Sequence, residues 1–130
     1  MGNRAVIQPA GFAAGLYLHW NGGAESVSAF LRAARDLKVR DPVADPTYFL
    51  ARLAQIVGNY FGGTLSVGVG PIKSLDVNNG DNGLYIVGAD FAIVEHKHSH
   101  TTGYDDAREA AIYAEVMQAN QPVFASGGTD

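Results

Sequence analysis

Residues 45–70, DPTYFLARLAQIVGNYFGGTLSVGVG, contain the change of pattern that decides the fold class. Aspartate followed by proline is a typical helix start, and apolar side chains then recur at helical spacing as far as Phe61. Gly62 and Gly63 favour a helix end at that point. Over residues 64–70 apolar side chains alternate with serine or glycine, which is the period of a half-buried strand. The stretch therefore predicts a helix followed directly by a strand.

The same two patterns continue on both sides of this stretch. They predict strands at 4–8, 16–20, 84–87 and 91–95. They also predict a first helix at 24–38 and a C-terminal helix at 105–118. Grouped strands beside helices define an α+β fold class. We predict an antiparallel sheet of about five strands with two helices packed on one face, plus a C-terminal helix. Residues 1–96 would form the α+β core domain, and residues 97–130 a polar loop and C-terminal helix extension.

The composition excludes several classes of function. With 13 acidic and 9 basic residues the net charge is −4, so the chain lacks the basic footprint of a duplex nucleic-acid binder. The absence of cysteine rules out disulfides and thiolate metal sites, and it favours a cytoplasmic location. The sequence has no apolar run as long as a membrane span, and it has no Walker loop or dinucleotide-binding motif. The sequence therefore predicts neither membrane association nor a bound cofactor.

The string at residues 19–23, HWNGG, joins a predicted strand to the start of the first predicted helix. A helix N-terminus attracts anions, and glycines let a phosphate approach the backbone. His19 and Asn21 are therefore candidate ligand-binding residues. The alternative is that Trp20 is a core residue and that the rest of the string only turns the chain. The sequence favours neither interpretation.

The loop at residues 76–83, DVNNGDNG, is rich in side chains that form hydrogen bonds. It is not an EF-hand calcium loop, because its fifth residue is glycine and the twelfth position is Val87. One interpretation is a turn that uses asparagine and glycine at positive φ. The other is a ligand loop in which Asn79, Asp81 and Asn82 face a ribose or a phosphate.

Arg52, Asn59 and Phe61 fall on the second predicted helix. A guanidinium, an amide and an aromatic ring near a glycine-rich helix end would suit a nucleotide, with the charge for phosphate and the ring for base stacking. Alternatively, Arg52 extends to solvent or pairs with an acid, and Phe61 belongs to the core.

Catalytic and metal-binding patterns are weak in this sequence. It contains no nucleophile elbow and no HExxH motif, and His19 has no identifiable partner as a general base, so no enzyme is predicted. His96, His98 and His100 alternate and would share one face of a strand, but no carboxylate partner is fixed beside them. A solvated strand end is the favoured interpretation, and no metal site is predicted.

Four strings carry a resemblance to a known family. They are GNRAVI at 2–7, LYLHWNGG at 16–23, GNYFGG at 58–63 with Arg52-Leu53, and NGDNG at 79–83 with Asp76. Over about residues 1–95 the chain resembles the first family of Thoeris anti-defence proteins, which are small phage proteins. Members of that family sequester the cyclic ADP-ribose signals of bacterial TIR immunity, and some also hold cyclic oligonucleotides. They are α+β proteins that form dimers and higher oligomers with pockets where protomers meet.

The resemblance implies a sponge, meaning a protein that binds cyclic nucleotide signals without turning them over. It also implies a homo-oligomer that works in the host cytoplasm. Arg52 matches an arginine on the family's second helix, and Asn79 with Asp81 matches an Asn-x-Asp pair.

Two further assignments come from the same resemblance. The aromatic side chain that stacks on adenine would be Phe61 or Phe91, and a C-terminal arginine would be Arg108, in a segment that is poor in arginine. Two other functions remain open at this point. One is an inhibitor that binds a host defence protein directly, and the other is a small hydrolase of nucleotide signals.

Overall fold

The computed structural model of the protein describes residues 2–63, 66–101 and 103–121. These residues form five strands and three α-helices, so the predicted α+β fold class is confirmed. The elements are β1 (Ala5–Pro9), β2 (Ala14–Leu18), α1 (Ala24–Asp36), α2 (Pro46–Phe61), β3 (Val67–Pro71), β4 (Leu84–Val87), β5 (Ile93–Lys97) and α3 (Asp106–Ala119). Residues 64–65, which belong to the predicted strand at 64–70, and residues 122–130 lie outside the described ranges.

The five strands form one sheet in the order β3-β2-β1-β4-β5, with β1 in the centre. Three of its four strand pairs are antiparallel, as predicted. The pair of β1 and β4 is parallel, with Val6 beside Leu84. Parallel neighbours need a long crossover connection, and α1 and α2 lie within the one between these strands. The sheet is therefore mostly antiparallel, with one parallel pair at its centre.

The main core lies between one face of the sheet and the three helices. Alternate residues of the central strands, such as Ile7 and Leu16, are fully buried there against Phe30 of α1 and Leu53 of α2. Each such side chain contributes about 1.5–3 kcal/mol to the stability of the fold. This burial follows directly from the helical and alternating patterns in the sequence.

The segment after β3 packs on the other face of the sheet through Ile72 and Leu75. Val6 is fully buried but faces away from the helices, because its neighbours on β1 point into the helix core. Gly15 on β2 lies directly under Ile72: a Cβ at Gly15 would come within 2.9 Å of the Ile72 Cδ1 atom. The segment that leads into the asparagine-rich loop therefore packs against the second face of the sheet.

The C-terminal helix α3 packs on the body of the protein. Ile112 and Val116 are buried in the same core as α1 and α2. The Asp105 side chain caps the helix by accepting hydrogen bonds from the backbone N–H groups of Ala107 (3.0 Å) and Arg108 (3.2 Å). The division into a core domain and an extension stays a prediction. Among the helices that the structure describes, none is long and apolar enough to cross a bilayer.

Two strand ends differ from the prediction and affect the site. β2 ends at Leu18, so His19 and Trp20 lie in the loop before α1. β5 ends at Lys97, and His98 has a φ of 60°, so the three alternating histidines do not share one strand face. Within the described ranges, no three histidine or acidic side chains are placed to hold a metal ion together.

Candidate functional site

A polar pocket of about 310 Å³ lies where α1 begins, and we call it the α1-start pocket. It brings two predicted site residues, Asn82 and Arg108, to the same cavity from distant parts of the chain. Its walls come from the N-terminus, the first turn of α1, the asparagine-rich loop, β5 and the start of α3. The lining residues are Asn3, Gly23, Ala24, Glu25, Ser26, Asn82, His96, Thr101, Gly103 and Arg108.

The first turn of α1 lines this pocket. Its N-cap residue is Gly23, which has no side chain to cap the turn with a hydrogen bond. The first N–H groups of a helix have no carbonyl partner within it, and the helix dipole makes that end attractive to an anion. The Glu25 carboxylate lies in the same turn and accepts a hydrogen bond from the Asp105 backbone N–H at 3.0 Å. That bond ties the start of α3 to the start of α1.

Gly22 fixes the approach of the chain to α1. A Cβ at this position would lie 2.6 Å from the Asn3 carbonyl oxygen and 2.7 Å from the Ala5 Cβ. The Tyr85 hydroxyl donates to the Gly22 carbonyl oxygen at 2.7 Å. Packing against β1 therefore explains this glycine without a ligand.

Arg108 supplies positive charge to the pocket. Its side chain forms no hydrogen bond or ion pair with the residues that the structure describes. The nearby acids are already engaged: Glu25 with the start of α3, and Glu109 with Arg32 at 3.7 Å. A guanidinium has five N–H donors suited to phosphate or carboxylate. Those of Arg108 are available to a ligand.

His96 forms a fixed wall of the pocket. Its ring stacks on Tyr85 with 4.0 Å between ring centroids, and its Nε2 contacts the Asn82 carbonyl oxygen. Since a carbonyl oxygen only accepts, Nε2 carries the proton in this contact. Burial raises the pKa of the Tyr85 hydroxyl, which keeps this ring neutral under the histidine.

Asn82 is fully committed to contacts inside the protein. Its Nδ2 donates to the Asn3 side chain and to the Arg4 carbonyl oxygen at 3.2 Å. Its Oδ1 accepts a hydrogen bond from the Thr101 hydroxyl at 2.8 Å. Asn82 therefore joins the N-terminus to the segment after β5, and its role toward a ligand stays a prediction.

Asn79 and Asp81 stabilise the loop in the same internal way. The Asn79 side chain donates to the carbonyl oxygens of Asp76 and Gly83 and accepts from the backbone N–H groups of Asp81 and Gly83. The Asp81 carboxylate accepts from the Arg4 Nε at 2.7 Å and from the Arg4 backbone N–H at 3.1 Å. These bonds hold the pKa of the Asp81 carboxyl below its usual value. The turn interpretation thus has structural support, and ligand binding by either residue stays a prediction.

His19 and Asn21 lie on the loop before α1 but outside the lining of the pocket. The His19 Nδ1 is 2.8 Å from the Tyr17 hydroxyl, and its ring meets Trp20 edge-on at 5.3 Å. Trp20 is 36% exposed, so its interpretation as a core residue is wrong. Asn21 has a φ of 57°, and its side chain reaches Ser26 at 3.4 Å. Asn21 therefore touches the pocket only through Ser26.

Arg52, Asn59 and Phe61 do not line the α1-start pocket. Arg52 bonds to Gln55 one turn further along α2, and Asn59 donates to the Asn120 side chain at 2.8 Å. Phe61 is 7% exposed and meets Phe30 edge-on in the core. The structure gives Asn59 and Phe61 roles in packing, and their ligand roles stay predictions.

Phe91 lies at a second cavity, of about 340 Å³, which is walled mainly by α1 and the connection between β4 and β5. Arg32 and Arg35 line this cavity too, one helical turn apart. Neither arginine was among the site residues predicted from the sequence. Two arginines at a spacing of three residues were the available signal, but the neighbouring aromatic ring is brought there by the tertiary fold alone.

Comparison with known proteins leaves the site without a relative. No protein-family model, no curated protein and no solved structure matches the chain. The fold and the two cavities are therefore the observations from which a function can be argued.

Proposed function

We propose that the protein binds a phosphate-bearing small ligand in the α1-start pocket and holds it without chemical change. The ligand class is the one that the family resemblance implies: cyclic nucleotide immune signals such as cyclic ADP-ribose isomers, with cyclic oligonucleotides as a second class. The protein would then act in the host cytoplasm as a phage anti-defence sponge.

The observation that carries this proposal is Arg108 beside the uncapped first turn of α1. The Arg108 guanidinium, which has no ion-pair partner among the described residues, and the N-terminal end of the α1 dipole are two sources of positive potential at one cavity. The Glu25 carboxylate lines the same cavity and is engaged by the Asp105 backbone N–H. The hydroxyl groups of Ser26 and Thr101 also lie in the lining, bonded to Asn21 and Asn82. The volume of about 310 Å³ is at the small end of the range for ligand pockets.

Binding without turnover is what the family resemblance implies, and the pocket's histidine is held in the wall by contacts within the protein. The His96 Nε2 is bonded to the Asn82 carbonyl oxygen, and its ring is stacked on Tyr85. These contacts give it a positioning role in the wall. Hydrolysis is the second candidate, and the Tyr17–His19 hydrogen bond is the observation that favours it. The tautomer of His19 decides whether this ring can act as a base: if the Tyr17 hydroxyl donates to Nδ1, the neutral ring has no free lone pair, whereas if Nδ1–H donates to the hydroxyl, Nε2 has one.

The first experiment is recovery mass spectrometry. The pure protein is incubated with cyclic ADP-ribose isomers and cyclic di- and trinucleotides, filtered, and heat-denatured, and the released molecules are identified. A ligand that is depleted and returned intact supports the sponge. A ligand returned as a product supports the hydrolase, and no depletion at all removes the basis of the proposal and turns the search to a host protein partner.

Two arginine variants then locate the site. Arg108→Ala should weaken binding of the recovered ligand at least tenfold, because a charge-assisted hydrogen bond contributes about 1.5–3 kcal/mol. The matched control is Arg40→Ala, since Arg40 is exposed and paired with Asp45 away from the pocket. If Arg52→Ala weakens binding and Arg108→Ala does not, the ligand lies on α2 and the assignment to the α1-start pocket is wrong.

We also propose that the protein works as a homo-oligomer, and the edge strand β3 is the surface that supports this. Val67 and Val69 are 39% and 59% exposed there. Val69 lines an apolar cavity of about 330 Å³ together with Phe12 and Leu50. Exposed apolar edge strands pair readily with another chain. Val69→Lys should lower the mass found by sedimentation velocity, whereas Val94→Lys on the opposite edge should not. An unchanged mass for Val69→Lys would contradict self-association through β3 and would leave this edge available to a host protein.

A further inference from the structure

The second cavity has features of a binding site that is independent of the α1-start pocket. It lies between α1, the turn that joins β4 to β5, and the first turn of α3, and we call it the Arg32–Arg35 cleft. Its polar wall consists of the two guanidinium groups, with the Ser28 hydroxyl on the same helix. Its apolar wall consists of Leu31, Phe91 and Ile93.

The guanidinium of Arg32 is held in place without using its hydrogen-bonding capacity. It lies 3.9 Å from the centroid of the Tyr113 ring, a cation–π contact that fixes its plane. Its ion pair with Glu109 is 3.7 Å long, which is beyond the range of a good hydrogen bond. Arg35 has only its sequence neighbour Asp36 as an ion-pair partner in the described residues, at 3.5 Å. Both side chains therefore retain donors for an anion.

The apolar wall is held in an unusual backbone conformation. Asp90 and Phe91 both have positive φ values, of 61° and 63°, a region that bulky residues rarely adopt. The Asp41 carboxylate holds the turn by accepting from the Asp90 backbone N–H at 2.8 Å. The result places Phe91 on the cleft, with its ring edge-on to Phe49. Strain of this kind persists where the surrounding structure enforces it, and it often accompanies binding sites.

From this geometry we infer that the Arg32–Arg35 cleft binds a small anion whose phosphate or carboxylate group is attached to a flat ring. The anionic group pairs with the two arginines, and the ring lies against Phe91 and Ile93. Glu109 is the opposing element: its carboxylate faces the same space and competes with the ligand for Arg32. This inference does not depend on the function proposed for the α1-start pocket.

The test is a titration followed by amide chemical shifts in two-dimensional NMR, with phenyl phosphate, benzoate and inorganic phosphate as probes. Phenyl phosphate or benzoate should bind at least fivefold more tightly than inorganic phosphate, with shifts centred on residues 28–36 and 89–94. Whichever of the two ring-bearing probes binds more tightly identifies the anionic group. Equal binding of inorganic phosphate, or shifts centred on residues 23–26 and 108, would overturn the inference.

Variants with opposite expected effects make the test sharper. Arg32→Gln and Arg35→Gln should each weaken binding of the ring-bearing probe with the higher affinity at least fivefold. Glu109→Gln should tighten binding of the same probe about threefold, because it removes the competing carboxylate. Arg40→Gln is the matched control, because Arg40 also lies over a tyrosine ring, at 4.3 Å, and pairs with an acid. Arg108→Gln should leave this affinity unchanged. Wild-type affinity in the Arg32→Gln and Arg35→Gln variants would show that the cleft is not the site.

Discussion

Two glycine- and asparagine-rich loops of this protein have similar sequences, but their polar side chains are used differently. In the loop at 79–83, the side chains of Asn79, Asp81 and Asn82 are bonded to the protein itself. In the loop at 21–23, the chain turns into α1 without capping it, and the first turn faces a pocket. The side chains of the first loop are used within the fold, whereas the second loop supplies no side-chain cap to the helix that follows it.

The difference shows what decides whether a polar loop serves the fold or a ligand. Both loops contain the dipeptide Asn-Gly, and both predicted a turn or an anion site equally well. The loop at 79–83 lies at the junction of β1, β4 and the end of β5, where buried backbone groups need partners. Residues 21–23 are also bonded within the protein, but through the backbone: the Gly22 N–H donates to the Asn3 carbonyl oxygen at 2.8 Å, and the Gly22 carbonyl oxygen accepts from the Tyr85 hydroxyl at 2.7 Å. The loops therefore differ in how many of their side chains the fold uses, and residue type alone does not distinguish them.

The largest expected effect on stability is that of Gly83→Ala, in the loop at 79–83. Gly83 has a φ of 71°, and a Cβ there would lie 2.0 Å from the Lys97 carbonyl oxygen. Strain and a backbone clash together should cost about 3–5 kcal/mol of unfolding free energy, measured in urea. Gly80→Ala is the matched control, since Gly80 also has a positive φ but its Cβ would meet nothing closer than 3.7 Å. Equal losses in the two variants would show that the end of β5 does not lie against this loop.

Asn79→Ala should have the next largest effect. The side chain is 4% exposed and forms four hydrogen bonds to the backbone of its own loop. Its removal leaves buried N–H and C=O groups unpaired, so the expected loss is about 2–3 kcal/mol of unfolding free energy. Asn78→Ala, at the exposed neighbouring position, should change stability by less than about 0.5 kcal/mol. A small effect at Asn79 would mean that its bonds are replaced by water, as a ligand-facing loop would allow.

The fold could be predicted from the sequence because its elements are locally encoded. The apolar stripe of α2 and the alternation before β3 specify a helix and a strand without tertiary information. The parallel pairing of β1 and β4 was missed, because strand order depends on how the helices pack. The same limit applies to the site: Asn82 was singled out by residue type and Arg108 by the family resemblance, but their shared pocket depends on α3 returning to α1.

Other parts of the site could not be predicted because their signal is tertiary. Phe61 has the residue type of a stacking platform, yet it lies in the core against Phe30. Arg32 looks like an ordinary exposed arginine in the sequence, yet it lies over the Tyr113 ring at the entrance of a cleft. Aromatic and arginine side chains take either role, and only their neighbours in the fold decide between them.

The loop at 21–23 gives a third prediction, which compares Gly22→Ala with Gly23→Ala. A Cβ at Gly22 would clash with the backbone of residues 3–4, so the variant should lose about 1–3 kcal/mol of unfolding free energy. A Cβ at Gly23 would meet only the Glu25 and Asn3 side chains, at 3.6 Å or more, and should cost less than about 1 kcal/mol. Thermal or urea unfolding of both variants tests this. If Gly23→Ala is the more damaging change, the loop is anchored at the start of α1 and not on β1.

The smallest expected effect on stability concerns the Arg4–Asp81 ion pair, which holds the loop at 79–83 to the start of β1. The hydrogen bond from Arg4 lowers the pKa of the Asp81 carboxyl in the folded state, while the unfolded value is about 3.9. A depressed folded pKa gives stability that is present above the unfolded pKa and is lost as the pH falls through the folded value. The stability advantage of wild type over Asp81→Asn should therefore be constant near neutral pH and shrink below about pH 4. Urea unfolding from pH 7 to pH 2.5 measures it, with Asp76→Asn as the control in the same loop. An advantage that persists at the lowest pH would mean that the charge on Asp81 is not what holds this loop, and that the neutral hydrogen bonds of Asn79 alone define it.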